Sequence, residues 1–344
     1  MKNKYDVVIV GAGPAGLSCA ETLANNGKSI LVLEKNNKIG HKICAGGLTV
    51  KIEEESIVFL KNADNVFYSM KLHFSKACRK LDRNNLVTAT IDREELGKIM
   101  LKKVLKGGVE VKTETEVKEI NENSIIVNGQ EIKFDYLVGA DGSNSTVRRY
   151  LGVKTKKMLV TLQYVIPQKI QNFKEMEYFF NSKILNGYFW IFPHKNFTAV
   201  GVAYYPKNVQ QNTCVKKCFE KWLEKYKIKI GGLKLKSFPI SFDYRDYQFG
   251  NKFLIGDAGG FASGATGEGI YFAMVSGKEV AKKIIDPQYD CSEILKILKI
   301  KRKQEYFFEK IGFLNNIIPN LGFNILSFFL NYKWFKKIFI KIFI

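Results

Sequence analysis

At 344 residues the chain is long enough for two domains, each with its own core. Lys and Arg number 54 against 33 acidic residues, and this net charge of +21, gathered in 216–236 and again after 290, favours anionic partners. Six cysteines without a CxxC pair and three isolated histidines set a metal site aside, and nucleic acid is set aside because the basic residues accompany aliphatic runs rather than a nucleic-acid module.

Residues 5–34, YDVVIVGAGPAGLSCAETLANNGKSILVLE, read as a complete βαβ unit. The apolar run at 7–10 is rich in β-branched residues and reads as a buried parallel strand. Gly11, Gly13 and Gly16 fit G-x-G-x-x-G: the first permits a tight turn, the second lets the backbone approach a pyrophosphate, and the third lets helix pack on strand. The helix that opens there, with Ala15 in its first turn, points unpaired N–H groups and its positive dipole end at phosphate. Asn26-Gly27 stops it, a second apolar strand follows at 29–33, and Glu34 stands 23 positions after Gly11, where an acid can bind a ribose hydroxyl.

A loop follows whose Gly46-Gly47 pair suggests backbone brought close to something flat or charged. Residues 67–74 read as a strand, and a helix begins at about Asp92, with Leu96, Ile99, Met100 and Val104 at helical spacing and a Gly107-Gly108 stop. Strands are expected at 109–117 and 124–127, with Asn128-Gly129 as a hairpin turn and a further buried strand at 134–138. From 151 to 244 the texture changes to strands dense in aromatics, interrupted by a helix at about 213–226; one face suits either a large apolar ligand or an ordinary aromatic core. The chain then returns to a strand at 252–255, a Gly256-Asp257 turn and a helix opened by Gly267-Glu-Gly-Ile, with Ile270, Ala273, Met274, Gly277, Val280, Ala281 and Ile284 on its buried side.

The expected fold class is α/β. A Rossmann-type, three-layer dinucleotide-binding domain with a parallel sheet takes residues 1–70, 86–150 and 245–290, an inserted, mostly antiparallel β-sheet substrate domain takes 71–85 and 151–244, and 291–344 form a C-terminal helical region. In that last region Lys333, Lys336, Lys337 and Lys341 fall on one side of a helix and Trp334, Phe335, Ile338, Phe339 and Ile342 spread over the other. This is the pattern of an interfacial helix on anionic lipid, or of a helical cap on the core. The uncharged stretch 311–332 holds five asparagines and Pro319, which argues against a spanning helix. With strand residues starting at Tyr5 and no secretory leader, the expectation is a reduced cytoplasmic chain, peripheral on the cytoplasmic membrane face.

GAGPAG with Glu34, VGADGSNSTVRR at 138–149 and FLIGDAGGFASGATGEGI at 253–270 resemble, in order and spacing, the three FAD-binding motifs of the p-hydroxybenzoate-hydroxylase-type flavoproteins. Within that superfamily Cys44-Ala45-Gly46-Gly47 resembles the C-x-G-G element of geranylgeranyl reductases, and Tyr188-Phe-Trp190-Ile-Phe192-Pro193 resembles their Y-x-W-x-F-P motif; the match spans roughly 5–290. The resemblance implies FAD as cofactor. Gly11, Gly13, Ala15, Gly16 and Glu34 would hold it in the first motif, with Arg93 near its phosphates, Val117 near its adenine and Asp141 at the second turn. Asp257 can accept from a ribityl or ribose hydroxyl, the N–H groups of Gly269 and Ile270 can stabilise negative charge on reduced flavin, and Cys44, Ala45 and Gly47 would lie beside the isoalloxazine ring. Arg148 either pairs locally or is a helix-surface charge.

The implied reaction saturates C=C bonds of geranylgeranyl or other isoprenoid chains, as in a membrane-lipid precursor or a chlorophyll or quinone side chain, by hydride transfer from the flavin together with a proton. Tyr188, Trp190 and Phe192 would line the substrate channel, and Cys44 and Tyr188 are the candidate catalytic groups; Cys44 otherwise shapes the flavin site or is inert. His194 stands where the family often has lysine, so no family role carries over to it. Partners are then an isoprenoid lipid, an external electron donor (NAD(P)H, ferredoxin or a deazaflavin) and a membrane surface. An FAD-dependent aromatic monooxygenase and a membrane-docked flavin electron carrier are the alternatives, the second weakened by the lack of a ferredoxin-like cysteine cluster.

Overall fold

The computed structural model describes residues 1–49, 56–82, 88–184, 187–206 and 209–343. The chain enters through β1 (Lys4–Val10), α1 (Pro14–Leu23) and β2 (Ile30–Leu33). Both strands are aliphatic and covered on both faces, which is why they read as runs rather than alternations. Next come β3 (Gly47–Thr49), α2 (Ser56–Lys61), β4 (Asn65–Phe67), β5 (Ser69–His73), β6 (Cys78–Asp82) and β7 (Thr88–Thr90). The helix α3 (Arg93–Lys106) starts where expected, because the Asp92 carboxylate accepts from the N–H groups of Glu94 and Glu95. Then follow β8 (Glu110–Lys112), β9 (Glu119–Ile120), β10 (Ser124–Val127), β11 (Gln130–Gly139) and α4 (Thr146–Tyr150). The aromatic segment supplies β12 (Met158–Ile166), β13 (Met176–Phe180), β14 (Tyr188–Pro193), β15 (Thr198–Tyr204), α5 (Val209–Lys225) and β16 (Lys236–Ser241). β17 (Gln248–Phe249), β18 (Lys252–Leu254), α6 (Gly256–Gly259) and α7 (Ile270–Ile285) return to the first sheet, and α8 (Ser292–Ile317), α9 (Leu321–Phe329) and α10 (Lys333–Phe343) complete the chain.

The α/β architecture is the expected one. The first sheet runs β17-β18-β11-β1-β2-β8, parallel from β18 to β8, with β10 and β9 hung antiparallel on β11. Helices α1, α3 and α7 cover one face, and the β9–β10 hairpin and α4 cover the other. The second sheet runs β16-β12-β15-β14-β13-β5-β6 and is antiparallel except where β5 joins β13. Helix α5 packs on one face through Phe219 and Trp222, the latter stacked on Phe189 at 4.7 Å. The C-terminal helices pack on the other.

Two local expectations are corrected, and on α10 the alternative of a cap on the core is seen. The stretch 67–74 is split between β4 and β5, which belong to different sheets, with Tyr68 66% exposed at the break. Of 109–117 only 110–112 is strand, because Glu114 takes a positive φ of 53° and the N–H groups of Glu114 and Thr115 bond to the carbonyls of Asn36 and Glu34. On α10, Phe339, Ile340 and Phe343 are buried with Phe180, Trp190, Phe323 and Leu326, and Phe335 and Ile342 pack against the same cluster. Trp334 and Ile338 alone of the expected apolar side stand open, at 56% and 48% exposed.

Arg148 is no surface charge. It is 2% exposed and donates to the carbonyls of Val153 (3.2 Å), Ala258 (3.0 Å) and Asp243 (2.7 Å), with the Asp243 carboxylate 3.9 Å away. It therefore ties α4 and α6 of the first sheet to the chain leaving the second. Replacing it by Met leaves buried carbonyls unpaired, and we expect Arg148→Met to cost about 3 kcal/mol and lower the calorimetric melting temperature by several degrees. An unchanged melting temperature would refute this role.

Candidate active site

The first motif is built from backbone held against backbone. Gly11 has φ +104°, and a Cβ there would lie 2.4 Å from the Ala140 carbonyl oxygen; one on Gly16 would lie 2.0 Å from the Gly11 oxygen. Gly13 is different, since a Cβ there would meet nothing within 4 Å. It is the N-cap of α1 and offers no side-chain cap, so the first-turn N–H groups open onto free space. Glu34, at the end of β2, accepts from the backbone N–H groups of Ala12 and Asn36, each at 3.0 Å.

The second and third motifs meet the first. Asp141 accepts from Thr146 N–H at 2.6 Å through Oδ2, while its buried Oδ1 has no partner among the described residues; desolvation pushes its carboxyl above the usual range. Ser143 donates to Asp257 at 3.2 Å, and Asp257 also takes Lys42 Nζ at 2.5 Å. Gly269, the uncapped start of α7, faces the other Asp257 oxygen: a Cβ there would lie 3.4 Å from it. Gly256 backs onto Ala15, where a Cβ would come within 2.8 Å of the alanine methyl. The three motifs are thus joined pairwise, Gly11 to Ala140, Gly256 to Ala15, and Ser143 and Gly269 to Asp257. Arg93 is 8% exposed at the start of α3, and its Nε has no partner among the described residues. Val117 is buried in one cluster with Val10 and Leu33. Two free helix N-termini, an unpartnered guanidinium nitrogen and a carboxylate at the β2 end are donors and an acceptor suited to a pyrophosphate and a ribose, so the residues present fit FAD.

The cysteine loop and the aromatic strand close the crevice from the other side. Cys44 Sγ accepts from Gly46 N–H at 3.4 Å, and Gln163 donates to the Cys44 carbonyl at 3.3 Å. Gly47 backs onto Phe192 and Met176, where a Cβ would come within 2.9 and 3.0 Å, so Ala45 and Gly47 lie directly on the second sheet. Trp190 lies flat across Gly201 with its indole N–H unpartnered among the described residues. The Tyr188 hydroxyl donates to the Thr266 carbonyl in the third motif. Burial pushes its pKa up, and the charges of Cys44 and Glu268 add to the rise, so this proton is committed and hard to release.

Three neighbours of the site were not singled out for a role from sequence. His194 is 1% exposed, hydrogen-bonded through Nδ1 to Asp64 at 2.7 Å and through Nε2 to the Ala45 carbonyl at 2.9 Å. Gln163 and Lys42 also reach the loop or Asp257 across the chain. Lys42 and His194 flank motifs read from the sequence, whereas nothing in the local pattern marks Gln163.

Residues 9–46 match the family described as NAD(P)-binding Rossmann-like domain, and residues 70–289 match the family described as FAD binding domain. An uncharacterized protein of Methanosarcina barkeri is 31% identical over 298 residues, covering 82% of this chain and 74% of its own. A digeranylgeranylglycerophospholipid reductase of Methanocaldococcus jannaschii is 28% identical over 338 residues, covering 89% and 84%. Among solved structures, a geranylgeranyl bacteriochlorophyll reductase-like protein of Thermoplasma acidophilum superposes with a TM-score of 0.75 at 22% identity, covering 91% of this chain and 86% of that one, which shows a shared fold.

The contrast between glycines gives a direct test of cofactor binding. Gly13→Asp meets no atom and supplies a helix cap worth about a few tenths of a kcal/mol over glycine, so the variant should fold at least as stably as the parent. Its carboxylate occupies the pyrophosphate position, so the Kd for FAD, read by flavin fluorescence, should rise at least about tenfold. Unchanged affinity would remove FAD from this turn.

Proposed function

The chain belongs to the FAD binding domain family and is an FAD-dependent oxidoreductase; on that footing we propose that it saturates C=C bonds of geranylgeranyl chains, with an archaeal-type prenyl glycerolipid as the substrate class. The observation that carries this reading is the placement of β14, whose Phe192 lies on Gly47 of the cysteine loop and whose Tyr188 is bonded to the third motif. An aromatic wall thus stands beside the start of α7. The name of the M. jannaschii relative supports the substrate class.

Reduced FAD supplies hydride to one alkene carbon. The chain's own groups do the rest. The α1 N-terminus and Arg93 hold the pyrophosphate, Glu34 the ribose, and Asp257 a ribityl hydroxyl, while the N–H groups of Gly269 and Ile270 favour the negative charge of the reduced ring. Tyr188, Trp190 and Phe192 position a prenyl chain and keep water out. Of the two candidate acids we assign the proton to Cys44, whose sulfur accepts a hydrogen bond, since the Tyr188 proton is already given to Thr266. In this reading residues 1–70, 86–150 and 245–290 carry the cofactor, and 71–85 and 151–244 carry the substrate. The Rossmann-type match lies on the same βαβ unit, so it adds no separate nicotinamide site, and the electron donor is external.

Among the described residues no helix is long and apolar enough to cross a membrane. Phe313, Ile317, Ile318, Phe328, Trp334 and Ile338 are nonetheless all more than two-fifths exposed, near Lys333, Lys337 and Lys341. That mixture supports, as part of the proposal, docking on an anionic bilayer face, peripheral on the cytoplasmic membrane.

Two measurements test the proposal. Anaerobic photoreduction of the flavin followed by a digeranylgeranyl glycerophospholipid in detergent should give two-hydrogen mass increments. A hydroxylated product in air with no saturated product would sink the reductase and favour the monooxygenase. Separately, the protein should sediment with phosphatidylglycerol vesicles and not with phosphatidylcholine ones. Replacing Lys333, Lys337 and Lys341 together by Glu should weaken that binding at least about tenfold, and no change would remove the membrane from the account.

A further inference from the structure

The carbonyl groups of the cysteine loop are all turned back into the protein. Gln163 donates to Cys44 O at 3.3 Å, His194 Nε2 to Ala45 O at 2.9 Å, and the Ile91 N–H to Gly46 O at 2.9 Å. In a trans peptide the C=O of one residue opposes the N–H of the next. Pinning the Cys44 and Ala45 carbonyls therefore sends the N–H groups of Ala45 and Gly46 the other way, and the Gly46 N–H indeed meets the Cys44 sulfur at 3.4 Å.

His194 is built for this task from four sides. Its Nδ1 meets the Asp64 carboxylate at 2.7 Å, and since both of its partners only accept, both bonds form when both ring nitrogens carry protons. The ring is stacked on Phe197 at 4.0 Å and 13°. Its Cε1 stands 2.7 Å from where a Gly46 Cβ would be, so nothing larger than hydrogen fits between ring and loop. The backbone that carries it is held in turn, because Asn65 and Thr90 both donate to the Pro193 carbonyl, at 2.9 and 2.7 Å.

We propose that His194, paired with Asp64, is a positioning residue for the flavin: by holding the Ala45 carbonyl, as Gln163 holds that of Cys44, it fixes the 44–46 backbone with the Gly46 N–H on the Cys44 sulfur and the Ala45 N–H towards the isoalloxazine ring, and so favours the reduced ring over the oxidised one. The inference rests on the reading of the 44–47 loop as the ring's neighbour. Hydrogen-bond donors aimed at a ring that gains electrons stabilise its reduced form. Losing the pin therefore lowers the reduction potential, whatever it does to folding.

The test reconstitutes wild type and variants with FAD and measures the Kd of the oxidised cofactor and the midpoint potential against a reference dye. His194→Leu, which removes the donor, should bind oxidised FAD within about threefold of wild type but favour the reduced form at least about tenfold less, a fall of about 30 mV for the two-electron couple. His194→Gln, which keeps a donor at the Nε2 position, should restore the potential. Asp64→Asn, which can donate to Nδ1 and leave the proton on Nε2, should keep it. A potential unchanged in FAD-loaded His194→Leu overturns the assignment even if its melting temperature falls, since that is the signature of a merely structural histidine. Should His194→Leu not fold, Gln163→Leu frees the neighbouring carbonyl and must shift the potential the same way; no shift there overturns the proposal equally. A wild type that takes up no FAD overturns the flavin reading itself, and with it this inference.

Discussion

One contact between main chains governs this molecule. Gly16 lies on the Gly11 carbonyl, Gly11 lies on Ala140, and Gly256 lies on the Ala15 methyl, so that α1, the end of β11 and the start of α6 approach with nothing larger than an alanine methyl between them. Distances this short bring three loops that are far apart in sequence to the carboxyl ends of parallel strands, where α/β sheets bind their ligands. Helix α7 crosses α1 closely, with the Ser18 hydroxyl bonded to the Met274 carbonyl at 2.9 Å, and its free N-terminus falls beside Asp257. Two uncapped helix starts then face one crevice, a costly arrangement for an empty protein and a suitable one for an anionic dinucleotide.

The second sheet is fastened to that crevice by polar bonds at its buried edges. Arg148 joins α4 and α6 to the end of β16, Tyr188 joins β14 to the third motif, and His194 joins the end of β14 to the cysteine loop. Between these bonds the second sheet presents aromatic side chains, Phe192 against Gly47 and Tyr188 against the third motif. The fold alone does not choose the reaction; the residues at the junction do.

Much of this was legible in the sequence because the constraint was local. Asp92 accepts from N–H groups two and three residues on, Asn128 and Gly129 both take the positive φ that a tight hairpin needs, and the glycines of the first motif have steric duties no other residue can discharge. What stayed hidden depends on partners distant in the chain. His194 meets a carbonyl 149 positions away, and Gln163 one 119 positions away; neither leaves a periodic trace. The split of 67–74 between two sheets is a choice of neighbours rather than of conformation. Likewise the amphipathic pattern of α10 announces an apolar side without saying what covers it, and that side packs chiefly on α8 and α9, through Phe307, Phe308 and Phe329.

That last arrangement governs how the molecule can be made. The apolar cluster on the sheet face of Phe180 and Trp190 takes in Phe339, Ile340 and Phe343, with the rings of Phe339 and Phe343 packed on Phe307 and Phe308 of α8. During synthesis these side chains emerge only after every strand they cover, so the nascent sheet waits with an oily face in water until α10 has cleared the ribosome. Chains cut short before α10 would leave that apolar surface open to chaperones and proteases.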